Sequence, residues 1–589
     1  MCCALLGALG VACGADAPVT LGAAGVGTNI AAGTGGASVA PGGAGAGGAQ
    51  SNAGQSGTAT TGNAGSLGGT DSSSSGGTGG ALGGSSAGAG AAGQASSLPM
   101  FPPLLQGCDI SVAHQHADRA LAVNLVDFWN GSQAYLNAVA PSDGKLTGYW
   151  TYAQVFDALL DGVERTGGLH YRGLVGTFYD GRAARGWLVD YYDDEAWMTM
   201  ALLRAFDLTS DQRYLDTAES IYQDIMTQWD TSCCGTHLGG IWWDKKKSQK
   251  ATASNGGPVI AGVRLAKRTS KPEYLDFAKQ VYGFWMSDMV DQTSWAIYDH
   301  LNPDGSRGPG ALTYNHGLMI GAGLELNAAT GEAHYLTESH AFAHYMLAHA
   351  VQASSAGPVL NDFGSNCEGD CAAWKGIGYR YLALLFQKDP THQDYATLLS
   401  DDAKAIWTLA RDPATDHFGS IWSGPPPASG GVEKQGSAAM ALNLYALLCG
   451  SDPNAVAPRA GSYEAEEATL NHVGLEATNQ GYSGFGYVAA FDKDKQSLTF
   501  EVDVALAGAY ALEWTYAAGA GTASRSVLVA GQPVVAAQAF AATADWSTWA
   551  IAKSTLTLAQ GPNLIELRYD ATKGGAASLN VDKLQVTAL

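Results

Sequence analysis

The sequence predicts a multidomain chain in which an all-α (α/α)6 toroid is followed by an all-β, jelly-roll-like sandwich. Three observations predict it. A helical repeat of about sixty residues runs through the middle of the chain, the hydrophobic period changes to two near Tyr463, and a Gly/Ala/Ser/Thr-rich tract precedes both.

The repeat is anchored by Tyr214, Tyr274, Tyr335 and Tyr395, spaced by 60, 61 and 60 residues. Each follows a polar turn, such as Thr209-Ser210-Asp211 or Asp389-Pro390-Thr391, and opens an amphipathic helical pattern. Further apolar segments of helical length, such as Trp197 to Leu208, lie between them. A two-helix unit of this size fits residues 100–450 close to six times. The intervening segments are long and rich in Trp, Tyr, Gly and Asp rather than short and regular as in a solenoid. Six hairpins are therefore expected to close into a ring, with loops crowding one mouth. In residues 462–589, Leu498, Phe500, Val502 and Val504, then Tyr510, Leu512, Trp514 and Tyr516, alternate with polar or small residues, as strands of a sandwich do. Residues 451–461, with Pro453 and Pro458, form the expected linker. Residues 15–99 hold too little apolar surface to offset ordering entropy and are expected to be a disordered tether, roughly 50 Å from end to end.

The net charge is −22, with 54 acidic and 32 basic residues, which argues against nucleic acid or an anionic membrane surface as the partner. The short basic run Lys245-Lys246-Lys247 reads as a solvated turn. Residues 1–14 resemble a bacterial lipoprotein signal, apolar from Ala4 to Ala12 and then reaching Cys13. Gly10 stands where an aliphatic residue is usual, and the basic n-region is missing. Export, lipidation of Cys13 and an extracellular or outer cell-surface location are the expectations. Beyond this segment no apolar run approaches the roughly 18 residues of a membrane span. A monomer is expected. Six cysteines lie between Cys108 and Cys449, and export would let them oxidise. Cys367 and Cys371 are the preferred disulfide. Vicinal Cys233 and Cys234 cannot easily bond each other without backbone strain, so at least one is expected to seek a distant partner such as Cys108. A zinc reading of these cysteines lacks a second CxxC or an HxxxH partner at the right spacing.

The densest acidic cluster of the helical region is Asp190-Tyr191-Tyr192-Asp193-Asp194-Glu195-Ala196-Trp197. One carboxylate suffices to cap a helix, and three stand here. Tyr191, Tyr192 and Trp197 can line a sugar subsite around them. Two adjacent carboxyls cannot both ionise easily, so one pKa rises while the other stays low, which supplies an acid and a nucleophile from one dipeptide. Adjacency also suits the roughly 5–5.5 Å separation of retaining glycosidases better than the roughly 6.5–9.5 Å of inverting ones.

The run Tyr191 to Trp197 resembles the signature of glycoside hydrolase family 76, the endo-α-1,6-mannanases. Three further segments are similar in order: Gly239-Gly240-Ile241-Trp242-Trp243 with Ser254-Asn255-Gly256; Thr313-Tyr314-Asn315-His316-Gly317, with His316 for the usual Gln; and Trp374-Lys375-Gly376-Ile377 with Arg380, Trp374 standing for Phe. The resemblance covers about His114 to Leu448. It implies an (α/α)6 barrel, α-mannan as the polysaccharide substrate, no cofactor for catalysis, Asp193 as nucleophile and Asp194 as acid/base. Tyr192, Trp197, Trp242, Trp243, Asn255, Tyr314 and Asn315 are the candidate substrate contacts. Lys375 and Arg380 read as structural ion-pair partners. The sandwich opens Tyr463-Glu464-Ala465-Glu466 and closes Asn580-Val581-Asp582, which resembles carbohydrate-binding modules of families 35 and 6. That resemblance implies a structural calcium held by Glu464, Glu466 and Asp582, with Tyr482, Tyr487, Trp546 and Asn580 as candidate sugar contacts. A mannan transglycosylase and a non-catalytic surface carbohydrate-binding protein are the rival readings.

Overall fold

The computed structural model describes residues 101–589 apart from 311, 363, 365, 366 and 454–460. The segment with Cys13, the glycine-rich tract and most of the linker lie outside the described residues. Twelve α-helices are present among them: α1 (Ile110–Val126), α2 (Tyr149–Arg165), α3 (Arg172–Ala183), α4 (Tyr192–Thr209), α5 (Gln212–Met226), α6 (Thr252–Thr269), α7 (Pro272–Asp288), α8 (Thr313–Thr330), α9 (Ala333–His349), α10 (Cys371–Lys388), α11 (Gln393–Ala405) and α12 (Val432–Cys449). Each even-numbered helix packs on the next, and α12 packs on α2, so six helices close an inner ring while the odd-numbered ones pack outside it. This is the expected toroid.

The repeat tyrosines are the third residues of α5, α7, α9 and α11, all outer helices and all buried there. Their rings pack against the preceding outer helix: Tyr274 meets Tyr222 edge-on at 5.5 Å and Tyr335 meets Tyr282 at 5.3 Å. The polar turns before them start the helices. Asp211 accepts a hydrogen bond from the Arg213 N–H, and Pro272 fills the first position of α7, where no amide partner is needed.

Ion pairs fill part of the ring interior. Asp161 of α2 is fully buried and accepts from Arg380 of α10 at 2.7 and 2.6 Å and from Arg204 of α4 at 2.8 Å. Asp157 faces the same two guanidiniums, and Arg264 of α6 donates to Glu325 of α8 at 2.6 Å. Arg380 is thus a structural ion-pair partner, as expected, and Lys375 is fully buried on the same helix near Asp362 and Asp402.

The disulfides correct one expectation. Cys367 pairs with Cys371, but Cys233 bonds its neighbour Cys234 across a cis peptide, and Cys108 pairs with Cys449. The last of these joins the residues flanking α1 to the end of α12, where the first and last helices of the toroid already pack together. Cys108 had its partner in the ring closure and none to spare for the vicinal pair.

The sandwich is two antiparallel sheets. One orders its strands Gly474–Glu476, Tyr487–Phe491, Leu579–Ala588, Gly508–Ala517, Ala550–Leu558, with Ser462–Glu464 also pairing Leu579–Ala588; the other runs Thr469–Asn471, Ser497–Val504, Gly561–Arg568, Ala523–Val529, Gln532–Phe540. The alternating residues Leu498 to Val504 and Tyr510 to Tyr516 are buried between them. The sandwich sits tightly on the toroid. Trp129 donates to the Val473 carbonyl at 3.0 Å, the Leu470 amide donates to Thr177 at 2.7 Å, and Thr469 donates to the Gly173 carbonyl of α3 at 2.9 Å. A Cβ at Gly131 or Gly173 would overlap sandwich backbone, so glycine permits the main chains to touch there.

Asp161→Ala would remove the fully buried member of the two carboxylates that Arg204 and Arg380 share. A loss of about 3–5 kcal/mol in unfolding free energy is expected, read from urea denaturation.

Candidate active site

The hairpin topology runs all six inner helices in one direction, so their first turns meet at one mouth. Those turns carry Tyr149 and Trp150 of α2, Asp193 and Asp194 of α4, Asn255 of α6, Tyr314 of α8, Trp374 of α10 and Glu433 of α12. Helix N-termini place positive partial charge there, which suits carboxylates and developing negative charge.

Asp193 and Asp194 stand in the first turn of α4. Asp193 Oδ2 accepts from the Trp243 indole N–H at 3.1 Å, while its Oδ1 is buried and has no protein partner. Both carboxyls titrate above the usual carboxylate range. For Asp193 the cause is burial, partly opposed by the Trp243 hydrogen bond. For Asp194 it is burial, then repulsion from Asp193, Asp370 and Glu195, with Arg182 opposing. Glu195, the third acid, turns away from the pair: its Oε1 accepts from the Val189 amide at 2.9 Å, with the Lys245 ammonium 3.6 Å off, and burial lifts its pKa to about 7.

Trp243 is held from three sides. Its carbonyl accepts from the Tyr192 amide at 2.8 Å, its amide donates to Gln249 at 2.7 Å, and its ring meets Tyr191 at 4.8 Å. Asn255 fixes the same loop, accepting from the Ile241 amide at 2.8 Å and donating back to the Ile241 carbonyl at 3.0 Å. Asn255 is fully buried and is a positioning residue here, not a sugar contact. Trp242 is likewise interior, its N–H donated to Asp230 at 2.8 Å and its ring covered by Lys250 at 5.0 Å. Tyr192 and Trp197 are buried in the helix packing. The reason is the same for all four: they lie on the faces of α4, α6 and the loop that meet the ring wall. Trp243 and Tyr314 are the two expected contacts that stay partly open, together with Trp374, whose ring stacks on Tyr314 at 4.8 Å. Tyr314 donates to Asp299 at 2.7 Å, and buried Asn315 donates to the same oxygen at 2.8 Å, so Asn315 orients Asp299. His316 is buried and stacks on Tyr345 at 4.8 Å, so the Gln replacement lies in the wall.

Sequence reasoning missed Asp370 and Trp150. Asp370 sits inside the Cys367–Cys371 loop at the start of α10, accepts from the Trp150 N–H at 2.9 Å and adds negative potential to both catalytic candidates. The available signal was its place at an inner-helix start.

On the sandwich, the three expected calcium ligands converge on one loop. Ser483 donates its hydroxyl to Glu464 at 2.7 Å and its amide to Asp582 at 2.7 Å, and the Phe485 amide donates to Glu466 at 2.9 Å. Glu466 Oε2 is buried with no protein partner, and burial pushes all three carboxyls up. Of the expected sugar contacts, Tyr487 is core, its hydroxyl engaged by Thr478, Asn479 and Glu476, and Asn580 is nearly buried. Tyr482 and Trp546 are partly exposed, and Trp549, not anticipated, packs on Tyr487 at 5.3 Å.

A helical toroid with paired buried carboxyls and aromatic walls at one mouth defines a carbohydrate-cleaving enzyme class. Residues 113–456 match glycosyl hydrolase family 76, and residues 461–589 match carbohydrate binding module (family 35). The chain belongs to glycosyl hydrolase family 76. It is similar to the α-1,6-mannanase of Salegentibacter sp. HEL1_6 (TM-score 0.51, 26% identity, covering 57% of this chain and 99% of that one); an inactive variant of that enzyme, with two adjacent aspartates changed to asparagine, has been solved with α-1,6-mannotriose. A mannan endo-1,6-α-mannosidase of Candida glabrata is 27% identical over 236 residues, 36% of this chain and 51% of that protein. An isomaltosyltransferase of Sporosarcina globispora is 32% identical over 124 residues, 21% of this chain and 11% of that protein. The chain thus spans between about a tenth and a half of the curated relatives it matches.

Trp243→Phe removes the side-chain N–H that favours ionised Asp193. The pKa of Asp193 should rise, so the acid limb of the pH–rate profile should move to higher pH, with kcat/KM falling about tenfold at neutral pH.

Proposed function

We propose that this glycoside hydrolase cleaves α-1,6-linked mannan within the chain and with retention of anomeric configuration. The observation that carries the reading is the asymmetry of the Asp193–Asp194 pair. Only Asp193 receives a hydrogen bond that favours its ionised form, and Asp194 lies under the combined repulsion of Asp193, Asp370 and Glu195. Asp193 is then the carboxylate and Asp194 the acid. The Asp193 oxygen attacks the anomeric carbon while Asp194 gives its proton to the departing glycosidic oxygen. Water next loses a proton to Asp194, attacks the glycosyl ester and releases Asp193. Trp243, Tyr314 and Trp374 offer flat faces for sugar rings at the mouth.

Glu464, Glu466 and Asp582 fit a calcium ion, because the buried, unpartnered Glu466 oxygen lacks a counter-charge and hard oxygen ligands suit that metal. Tyr482, Trp546 and Trp549, all partly exposed, are the sugar-facing aromatics of the module in this reading. Three disulfides accord with export to an oxidising compartment. Among the described residues no helix is long and apolar enough to cross a membrane.

Asp193→Asn and Asp194→Asn should each lower turnover of linear α-1,6-mannan at least a thousandfold while oligosaccharide binding persists, and wild-type products should appear first as α-anomers in NMR. First-formed β-anomers would reject retention, and products longer than the substrate would mark transglycosylation instead. Adding Ca2+ to the metal-stripped protein should raise its melting temperature, and Glu466→Gln should abolish that response.

A further inference from the structure

The outer helices are joined to one another by a repeated contact. The residue five beyond each repeat tyrosine faces the residue three before the next one. At the first joint this is an ion pair, Glu219 of α5 with Lys271 before α7. At the second the signs are exchanged, Lys279 of α7 with Glu332 before α9, at 3.9 Å. At the third joint the same two positions hold His340 of α9 and His392, the residue that starts α11. Their rings stack with centroids 4.4 Å apart, and no opposite charge joins them directly.

Two aspartates stand beside the stacked pair. Asp389 commits Oδ1 to Thr391 and turns Oδ2 toward both imidazoles, 3.6 Å from His340 Nε2 and 3.6 Å from His392 Nε2. Those separations are too long for hydrogen bonds. They match the edge of a ligand tetrahedron, which is roughly 3.3–3.6 Å for metal–ligand distances of about 2.0–2.2 Å. The other nitrogen of His340 lies 3.0 Å from the Tyr395 hydroxyl, the orienting bond a metal-bound imidazole uses. His344, one turn after His340, and Asp394 flank the other face of His392, with His344 Nε2 and His392 Nδ1 each 3.8 Å from an Asp394 oxygen.

We propose that His340, His392 and Asp389 bind a divalent first-row transition ion of the zinc class, which replaces the ion pair of the other two joints and staples α9 to α11. Water completes the coordination. Two imidazoles and a carboxylate select zinc, nickel or copper over calcium, which prefers oxygen alone. Asp389 and His392 lie in the turn between the C-terminal end of inner helix α10 and the start of α11, at the end of the toroid opposite the mouth, so the ion is structural. His340-Ala341-Phe342-Ala343-His344 is an HxxxH motif, but only His340 of it is a ligand here, and cysteine has no part in the site.

The test is calorimetric titration of the metal-stripped full chain with Zn2+ in excess calcium, which fills oxygen-only sites. Wild type should bind one ion with micromolar or tighter affinity, and His340→Ala, Asp389→Asn and His392→Asn should each weaken it at least tenfold. His392→Asn keeps a helix-starting side chain and so guards against a folding artefact. The Co2+-loaded wild type should show a d–d absorption band that His392→Asn lacks, while mannan cleavage by that variant is unchanged. Zinc binding weaker than micromolar, or affinity in the variants within tenfold of the wild type, would overturn the proposal.

Discussion

Six inner helices running the same way impose one constraint on everything else: their N-terminal turns must converge. A first-turn residue of any inner helix is delivered to the mouth whatever its neighbours in sequence. Asp193 and Asp194 occupy such a turn, in a place dry enough that neither carboxyl ionises freely and close enough that the charge of Asp193 opposes that of Asp194. The donor loop with Trp243, braced by Asn255, then breaks the symmetry of the pair. Within the ring, the Asp157 and Asp161 contacts with Arg204 and Arg380 tie α2, α4 and α10 together and so fix the wall on which the pair stands.

The sandwich is more than an appendage on a linker. Backbone meets backbone at Gly131 and Gly173, and hydrogen bonds reach from Trp129 and Thr177 into its strands. Its orientation to the catalytic mouth is therefore set by packing rather than by the length of the connection.

Much of this was legible in the residues. The spacing of Tyr214, Tyr274, Tyr335 and Tyr395 gives the hairpin count because the same outer-helix joint recurs, and strand alternation gives the sandwich because one face of each sheet must be buried. The acidic run at Asp193 stood out since capping needs a single carboxylate. What stayed hidden depends on direction rather than identity. Trp242 and Trp243 are neighbours in sequence, yet one points into the wall and the other toward Asp193. Asp370 is an ordinary loop acid until the ring closes and sets the start of α10 across the mouth from that of α4. The cysteine pairing failed for a related reason, since Cys449 becomes near to Cys108 only when the ring closes.

The central claim is that the Asp193–Asp194 pair holds a single proton at neutral pH. An infrared difference spectrum between wild type and Asp194→Asn, recorded near pH 6.5, reads it most directly. The account predicts one protonated carboxyl band present in the wild type and lost in the variant. Identical carboxyl regions in the two spectra, with both aspartates ionised, would contradict it.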